Sequence, residues 1–427
     1  MTVELQSLLF DPTDAKAALI ELPTKPAVFA LYGAEARDEP YIGRTPNLRA
    51  RLERLLQPSP KHPRRLQLAG RVRRIAWRLT GSEFESLLTQ FSMLDAVYGA
   101  KALERMHLRS PAFVRFLGGN PYPRITVTHR PSQRETDWSY GPFASRAAAE
   151  RFSEEALKLF LLRRCTDDLN PDPSHPGCVY SEMKMCLAPC YKGCTDERYR
   201  EEADAVESFL ATRGESRLVV LRGERDAASA NLEFESAAAL HALVQRVESV
   251  RALAPDLVRP LGRLRAVVLQ QSTNRDEVAV FLFENGKIRG PAAFSTLGMR
   301  IQNEQSGSSS LFAHPMAIEP VLETPNSETS AMAVVEATGG LAPKTARGIL
   351  EARMDAALAA LNQESETPSA TVRQGHIALV KRWYYRPEAR RVGEIFFPDA
   401  EEQWPIRAML RGVGRVAAKM LAHSDSA

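Results

Sequence analysis

The feature that most constrains the fold is the stretch of residues 27–54, where two short apolar runs precede a basic segment. The first run, residues 27–32, lies between Pro26 and Gly33, which is typical of a short buried strand. The second run, residues 41–43, begins with an aromatic residue and stops at a glycine. This pattern predicts a strand, a turn and a second strand, and the basic segment follows directly.

A basic helix is predicted after the second strand. Thr45 offers an N-cap oxygen, and Pro46 suits the first helical position because a proline there loses no helical hydrogen bond. Leu48 and Leu52 recur at helical spacing, so one face of the helix is predicted to be buried. Three arginines flank that face: Arg49, Arg51 and Arg54.

Tyr41, Arg44 and Arg51 are candidate ligands of a single phosphate. Guanidinium groups match phosphate oxygens in shape and stay charged at any working pH. A tyrosine hydroxyl can orient or deprotonate an attacking water. The alternative interpretation is a half-buried strand tyrosine beside a solvated basic helix, and the local pattern alone does not separate the two.

Positive charge is concentrated in one part of the chain. The net charge of the 427 residues is only +4, but residues 44–78 hold ten arginines, one lysine and a single acidic residue, Glu53. Such a block favours a polyanion through phosphate contacts and counterion release, and DNA is the predicted partner. The alternative is a solvated basic face. The candidate DNA-binding residues are Arg49, Arg54, Arg64, Arg65, Arg71, Arg73 and Arg74.

Composition argues against membrane and secreted classes. The sequence has no apolar run long enough to cross a bilayer and no basic region followed by an apolar core at its start. Five cysteines, an odd number, do not indicate a secreted disulfide framework. A cytoplasmic protein without a membrane partner is expected.

Four of the five cysteines form a cluster. Cys165, Cys178, Cys186 and Cys190 give the array C-x12-C-x7-C-x3-C in a stretch with many turn residues and little apolar content. Free cysteines are often buried small apolar residues, but this stretch does not look like a core. Thiolate ligation suits zinc or iron–sulfur, and the spacing alone does not choose between them. Cys194 repeats the last spacing and is left out of the set.

The paired strands resemble the GIY-YIG nuclease motif, with residues 41–43 as its second half. Ala27 and Phe29 stand where that motif has its first glycine and tyrosine. Residues 44–52 are similar to the UvrC-like family, which comprises the UvrC component of the bacterial UvrABC excinuclease and its shorter relative Cho. The resemblance implies a DNA endonuclease of nucleotide excision repair that depends on Mg²⁺ or Mn²⁺.

The same resemblance implies roles for individual residues. Tyr41 would orient or activate water, and Arg51 and Arg44 would stabilise the phosphoryl charge. The glutamate that holds the metal in the family falls on Gln90, in a helix predicted to start after the N-cap Ser82. An amide oxygen carries no charge, so the metal position is degenerate.

Two further segments resemble parts of the family. Residues 185–190 resemble its Arg-Cys-Ala-Ala-Pro-Cys run, which implies a 4Fe-4S cluster on the four cysteines. Residues 232–240 resemble the UVR motif, a helical hairpin, and imply contact with a UvrB-like helicase subunit through residues 230–250. Without the resemblance, the sequence of this segment is equally compatible with a helical hairpin that is packed in the core of the protein.

The predicted fold class is multi-domain α+β, without an RNase H-like nuclease in the C-terminal region. The predicted divisions are a lead-in at 1–21, a GIY-YIG nuclease-like domain at 22–117, a connector at 118–162, a four-cysteine module at 163–198, a UVR-like helical hairpin at 199–255, a small β region at 260–300 and a helical, aromatic and basic region at 301–427. Three hypotheses follow: an endonuclease that tolerates Gln90, a catalytically silent DNA-binding scaffold, and a zinc-stabilised interaction protein.

Overall fold

The computed structural model describes residues 4–35, 38–56, 68, 70–131, 136–166, 168–299, 346–362 and 367–424. Within these ranges the strands form three antiparallel sheets of four strands each, with helices packed on them. The fold is therefore mixed α+β with several small sheets, as predicted. Within the same ranges, no helix combines the length and the apolar character that a membrane span requires.

The first sheet contains the two strands predicted within residues 27–43, and its strand order is β1-β4-β2-β3. Its strands are β1 (Gln6–Leu9), β2 (Ala27–Tyr32), β3 (Tyr41–Thr45) and β4 (Arg74–Leu79), and its helices are α1 (Ala15–Ile20), α2 (Leu48–Leu56), α3 (Glu83–Tyr98) and α4 (Lys101–Arg105). The predicted order of strand, turn, strand and helix is confirmed. Leu48 and Leu52 of α2 pack with Phe29 on one face, and Met93 of α3 packs with Val28 on the other. β3 forms one edge of the sheet.

The N-cap predicted for α2 is wrong by two residues. Thr45 is the last residue of β3, and its hydroxyl bonds to the backbone of Asn47. The Asn47 side chain caps the helix instead, since its Oδ1 accepts the N–H of Ala50 at 3.0 Å. The cap predicted for α3 is confirmed, because Ser82 Oγ accepts the N–H of Glu85 at 3.1 Å.

The second sheet has the order β6-β5-β7-β8 and shares one core with a group of helices. Its strands are β5 (Ala112–Phe116), β6 (Ile125–Thr128), β7 (Ser139–Phe143) and β8 (Arg259–Pro260), and its helices are α5 (Arg146–Leu157), α6 (Val179–Glu182), α7 (Asp196–Ala211), α8 (Glu215–Ala230) and α9 (Phe234–Arg251). The core joins buried residues from both 112–162 and 199–258. The predicted domain bounds stay a prediction, and this core spans several of them.

The third sheet has the order β11-β10-β9-β12 and carries helices on both faces. Its strands are β9 (Ala266–Gln271), β10 (Glu277–Glu284), β11 (Lys287–Ser295) and β12 (Glu394–Phe396), and its helices are α10 (Ala346–Asn362), α11 (Ala370–Tyr384) and α12 (Ile406–Ser424). α10 and α12 cover one face, and α11 covers the other together with α3 of the first sheet. Because α3 contributes to this core, the first sheet and the C-terminal region pack on the same helix.

Candidate functional site

Tyr41 lies at the start of the edge strand β3, on the side that faces α2. Its ring centroid is 6.1 Å from that of Phe29, and 41% of the residue is exposed. Gly43, two positions on, lies on the same side, and a Cβ there would come within 2.9 Å of the Phe29 ring. Glycine at this position therefore lets the Phe29 ring pack under β3. Arg51 lies in the second turn of α2 and is partly buried.

Arg44 lies on the opposite face of β3 from Tyr41. Side chains alternate along a strand, and positions 41 and 44 differ by an odd number. Val28, the partner of Arg44 in β2, packs against α3. Arg44 accordingly forms an ion pair with Glu83, the first residue of α3, at 3.4 Å. The convergence of Tyr41, Arg44 and Arg51 on one phosphate stays a prediction, and the strand alternation separates Arg44 from the other two.

Glu83 has a second partner, Arg386, which follows α11 and lies 303 positions away along the chain. Both terminal nitrogens of Arg386 donate to the Glu83 carboxylate, at 2.7 and 2.9 Å. These hydrogen bonds are the main reason that the pKa of Glu83 lies below its usual value, and the charges of Arg386 and Arg44 add to the effect. The carboxylate is therefore ionised at neutral pH and orients two guanidinium groups.

Gln90 lies in the middle of α3 and is partly exposed. Neighbouring positions on α3, including Leu87 and Phe91, are buried in the core shared with the third sheet. The nearest carboxylate on almost the same helix face is Glu83, seven residues away and therefore about 10 Å along the axis. Glu85 is 5% exposed, and burial raises its pKa, although the backbone N–H of Gly81 and the charge of Arg78 act in the other direction. The described part of α3 thus offers no carboxylate next to Gln90.

Most of the predicted DNA-binding arginines that the structure describes are exposed. The exposed ones are Arg54, Arg71, Arg73 and Arg74. Arg49 is partly buried, and its Nε donates to the carbonyl oxygen of Leu22 at 2.8 Å, so it also fixes α2 to the N-terminal segment. Arg64 and Arg65 lie outside the described residues. The DNA-binding role of all seven stays a prediction.

The four cysteines lie in a loop-rich segment between α5 and α7. Cys190 is buried, and Cys165, Cys178 and Cys186 are partly exposed. Burial raises the pKa of the Cys186 thiol, the backbone N–H of Ala188 lowers it, and the other three thiols raise it further. The four thiols are therefore near enough to influence one another. Within the described ranges, however, no group of three or more His, Cys, Asp or Glu side chains is positioned to hold a metal ion.

A buried arginine lies beside the cysteine segment. Arg163 is 2% exposed, and its Nε donates to the carbonyl oxygen of Tyr122 at 2.9 Å. One of its terminal nitrogens lies 3.6 Å from the Cys165 sulfur, within hydrogen-bonding distance of a thiol. The guanidinium of Arg163 therefore lies at the edge of the cysteine segment, where it can donate to the Cys165 sulfur.

The UVR-like segment forms a helical hairpin of α8 and α9. Its inner side is buried by Leu218, Val244 and Val247. The turn between the helices leaves two large apolar side chains in solvent, with Leu232 71% and Phe234 67% exposed. The inner face of the hairpin is therefore core and its tip is an exposed apolar surface, while contact with a partner subunit stays a prediction.

A cavity that the sequence does not predict lies where Arg44, Glu83 and Arg386 meet. Its volume is about 630 Å³, and it lies between β3, the start of α3, the end of β9 and residues 383–392. By sequence alone, the aromatic and basic segment around Trp383 suits either a base-stacking surface or a packed helix. The structure supports packing, since Trp383 is 3% exposed and its indole N–H donates to the carbonyl oxygen of Val392. No local sequence signal links this segment to β3, because the contact depends on tertiary structure.

Comparison with protein families finds a match to the middle part of the chain. The family described as "UvrC/Cho excinuclease, middle domain" matches residues 113–209, the region that holds β5, β6, β7, α5, α7 and the four cysteines. No solved structure matches the chain.

Curated relatives match a longer part of the chain. UvrABC system protein C of Alcanivorax borkumensis is 28% identical over 285 residues, which is 67% of this chain and 46% of the relative. The proteins of the same name from Aliivibrio fischeri and Pseudomonas entomophila are 27% and 29% identical over 239 and 240 residues, each covering 56% of this chain and 39% of the relative. In each of these comparisons the match therefore spans less than half of the relative's length.

Proposed function

Because the chain is a member of the UvrC-like family, we propose that it is a DNA-binding protein of nucleotide excision repair whose GIY-YIG-type domain holds DNA without cutting it. The observation that carries this proposal is the composition of the site. Tyr41, Arg44 and Arg51 fall on the positions to which the resemblance assigns phosphate binding, whereas the position to which it assigns the metal ligand falls on Gln90 of α3.

The residues that remain suit binding of a DNA backbone. Arg51 and the exposed arginines of α2 and β4 offer charged donors to phosphates, and Tyr41 offers a hydroxyl at the edge of the sheet. Such contacts position DNA without reading its sequence. A damaged duplex is the proposed ligand, as the family implies.

The position on α3 that would hold the metal, Gln90, lacks the negative charge that a divalent cation requires. When bound, Mg²⁺ or Mn²⁺ would polarise the scissile phosphate and stabilise the charge that develops on it. Gln90 can offer one neutral oxygen, and Glu83 is already bonded to Arg386 and Arg44. The silent scaffold is therefore preferred to the endonuclease, which remains the second candidate because Tyr41 and Arg51 are present.

A cleavage assay separates the two candidates. We expect the wild-type protein to bind a labelled, damaged duplex with little cutting in Mg²⁺ or Mn²⁺, with a UvrB-type helicase added. Gln90→Glu restores the family carboxylate and is expected to raise metal-dependent cutting at least about tenfold. Adding Tyr41→Phe to Gln90→Glu is expected to lower that cutting by about 10²-fold or more, since general bases contribute this much.

The endonuclease hypothesis predicts a different result in the same assay. Metal-dependent cutting by the wild type that disappears in Tyr41→Phe would establish it and overturn the silent-scaffold hypothesis. Lack of cutting by all variants, with DNA binding retained, would leave the scaffold and show that Gln90 is not the sole obstacle.

We further propose that Cys165, Cys178, Cys186 and Cys190 hold a 4Fe-4S cluster. Four thiols that influence one another, the N–H of Ala188 and the guanidinium of Arg163 suit an anionic, sulfur-ligated cluster. Zinc is the alternative, because thiolates also bind zinc. Within the described ranges the thiols are not positioned as a ligand set, so the choice between the two metals rests on metal analysis.

Metal analysis tests the cluster. Protein purified without oxygen is expected to be brown and to contain about four iron atoms per chain. Cys186→Ser is expected to lose most of the iron, whereas Cys194→Ser, a matched control in the same segment, is expected to retain it. Stoichiometric zinc without iron in the wild type would instead establish the zinc-stabilised alternative.

The hairpin of α8 and α9 is the proposed contact for a UvrB-like subunit. Its support is the pair of exposed apolar side chains at the tip, Leu232 and Phe234. Apolar side chains that protrude from a hairpin suit insertion into a partner's groove.

A further inference from the structure

The cavity between β3, α3 and the C-terminal region is strongly basic. Three arginines line it, namely Arg44, Arg386 and Arg390, against one carboxylate, Glu83. With every group ionised, the lining carries a net charge of about +2. A charged lining of this kind is suited to an anion that carries one or two negative charges.

The arginines retain free donors although two of them are already oriented. Arg386 donates two of the five N–H groups of its guanidinium to Glu83, and three N–H groups remain available to a ligand. Arg44 has a single bond to the same carboxylate. Arg390 is exposed, and its side chain has no hydrogen bond or ion pair within the described residues. Glu83 thus holds two guanidinium groups in place before any ligand arrives, which lowers the entropy cost of binding.

The start of α3 adds to the positive potential of the cavity. Ser82, its N-cap, and Glu83 both line the cavity, so the unpaired N–H groups of the first turn lie at its wall. The N-terminal end of a helix favours negative charge. This contribution is secondary to that of the three arginines.

Polar and closely packed groups complete the wall. Gln270 lines the cavity at 1% exposure, and its amide nitrogen donates to the carbonyl oxygen of Val392 at 3.1 Å. Gly81 allows the start of α3 to pack directly against the end of β9, since a Cβ at position 81 would come within 2.3 Å of the backbone of Ser272.

We infer that this cavity binds a nucleotide through its phosphate, and that the C-terminal region supplies Arg386 and Arg390 to the site. The inference deepens the proposed function and rests on it for the expectation that the nucleotide belongs to DNA. Because β3 is the edge strand, a DNA strand that crosses this edge meets Tyr41 on one face and Arg44 with the cavity on the other. The cavity would therefore hold the nucleotide next to the one at Tyr41.

Binding measurements with two variants test the inference. Arg390→Met removes an unpaired charge and is not expected to disturb the fold, whereas Arg386→Met also releases Glu83. Each is expected to weaken binding of a damaged duplex about tenfold, as measured by fluorescence anisotropy. The slope of log affinity against log salt is expected to fall by about 0.9 for Arg390→Met, the value for one lost duplex phosphate contact.

Arg415→Met is the matched control. Arg415 forms a bidentate pair with Glu394 at 2.7 and 2.6 Å, like the pair of Arg386 and Glu83, but it does not line the cavity. Its replacement is expected to change DNA affinity less than twofold. Equal affinity in wild type, Arg390→Met and Arg386→Met would overturn the inference.

A second probe, thymidine 5′-monophosphate, tests whether the cavity binds a free nucleotide as well as a nucleotide within DNA. Binding of this probe to wild type, weakened in both variants, supports the site and adds free nucleotides as ligands. If wild type binds no DNA, the proposed function fails, and the cavity is then judged by the mononucleotide alone. Absence of mononucleotide binding in that case would overturn the inference as well.

Discussion

Phe91→Ala is expected to lower the free energy of unfolding of the region around α3 by about 3–5 kcal/mol, the cost of truncating a fully buried phenylalanine. Phe91 is 0% exposed and lies in the core between α3 and the third sheet. It packs closely on α11, where a Cβ on Gly375 would come within 2.2 Å of its ring, and its ring centroid is 5.4 Å from that of His376. The cavity left by alanine is bounded by two packed helices that cannot easily close it.

Native-state hydrogen exchange is the appropriate measurement, because a multi-domain chain does not have a single unfolding free energy. Protection is expected to fall together in α3 and α11, since Phe91 joins them, and to stay unchanged in α10. Phe234→Ala serves as a control. Phe234 is also a helical phenylalanine but is 67% exposed, so its replacement is expected to change stability by less than about 0.5 kcal/mol. A loss below about 1 kcal/mol for Phe91→Ala would show that α3 and α11 do not depend on this contact.

Acidification is expected to destabilise the same core through His376. Burial lowers the pKa of His376 to about 3, and the charge of Lys287 acts in the same direction. The side chain is 5% exposed, and its Nδ1 accepts the backbone N–H of Ile288 at 2.8 Å, which requires the neutral ring. Charging it would bury an uncompensated cation and break that hydrogen bond.

Stability is lost on acidification because the pKa of His376 is lower in the folded state than in the unfolded state. An unfolded histidine takes up its proton near pH 6.5, and the folded one does so only near pH 3. The stability contributed by neutral His376 is therefore fully present above about pH 6.5. It is lost progressively as the pH falls, at up to about 1.4 kcal/mol per pH unit, or about 2–3 kcal/mol between pH 6.5 and 4.5.

Native-state hydrogen exchange of α11 in wild type and His376→Asn, at pH 7 and pH 4.5, measures this contribution. Asparagine retains an acceptor for the N–H of Ile288 but does not titrate. The variant is expected to be less stable at pH 7 and to lose about 2–3 kcal/mol less than wild type on acidification. His241→Asn, on the exposed side of α9, is expected to keep the wild-type pH dependence. Equal losses in wild type and His376→Asn would count against a neutral buried His376.

The candidate site is predictable from the sequence only in the parts that depend on neighbouring residues. Tyr41, Arg44 and Arg51 can be placed on the strand and helix that carry them, because apolar periodicity and caps are local signals. The direction of Arg44 cannot be predicted in this way, since it depends on which face of β3 meets α3. The cluster on the four cysteines and the DNA contacts of the arginines stay predictions.

The sequence by itself determined the local elements of this protein: the two strands and basic helix of residues 27–56 and the Ser82 cap of α3. These depend on interactions within a few residues, so the pattern is sufficient to find them. Only the tertiary structure decided that α3 is shared by two cores and that Glu83 pairs with Arg386, 303 positions away. A contact at that separation arises from the packing of the third sheet on α3, and no periodicity or cap within either segment encodes it.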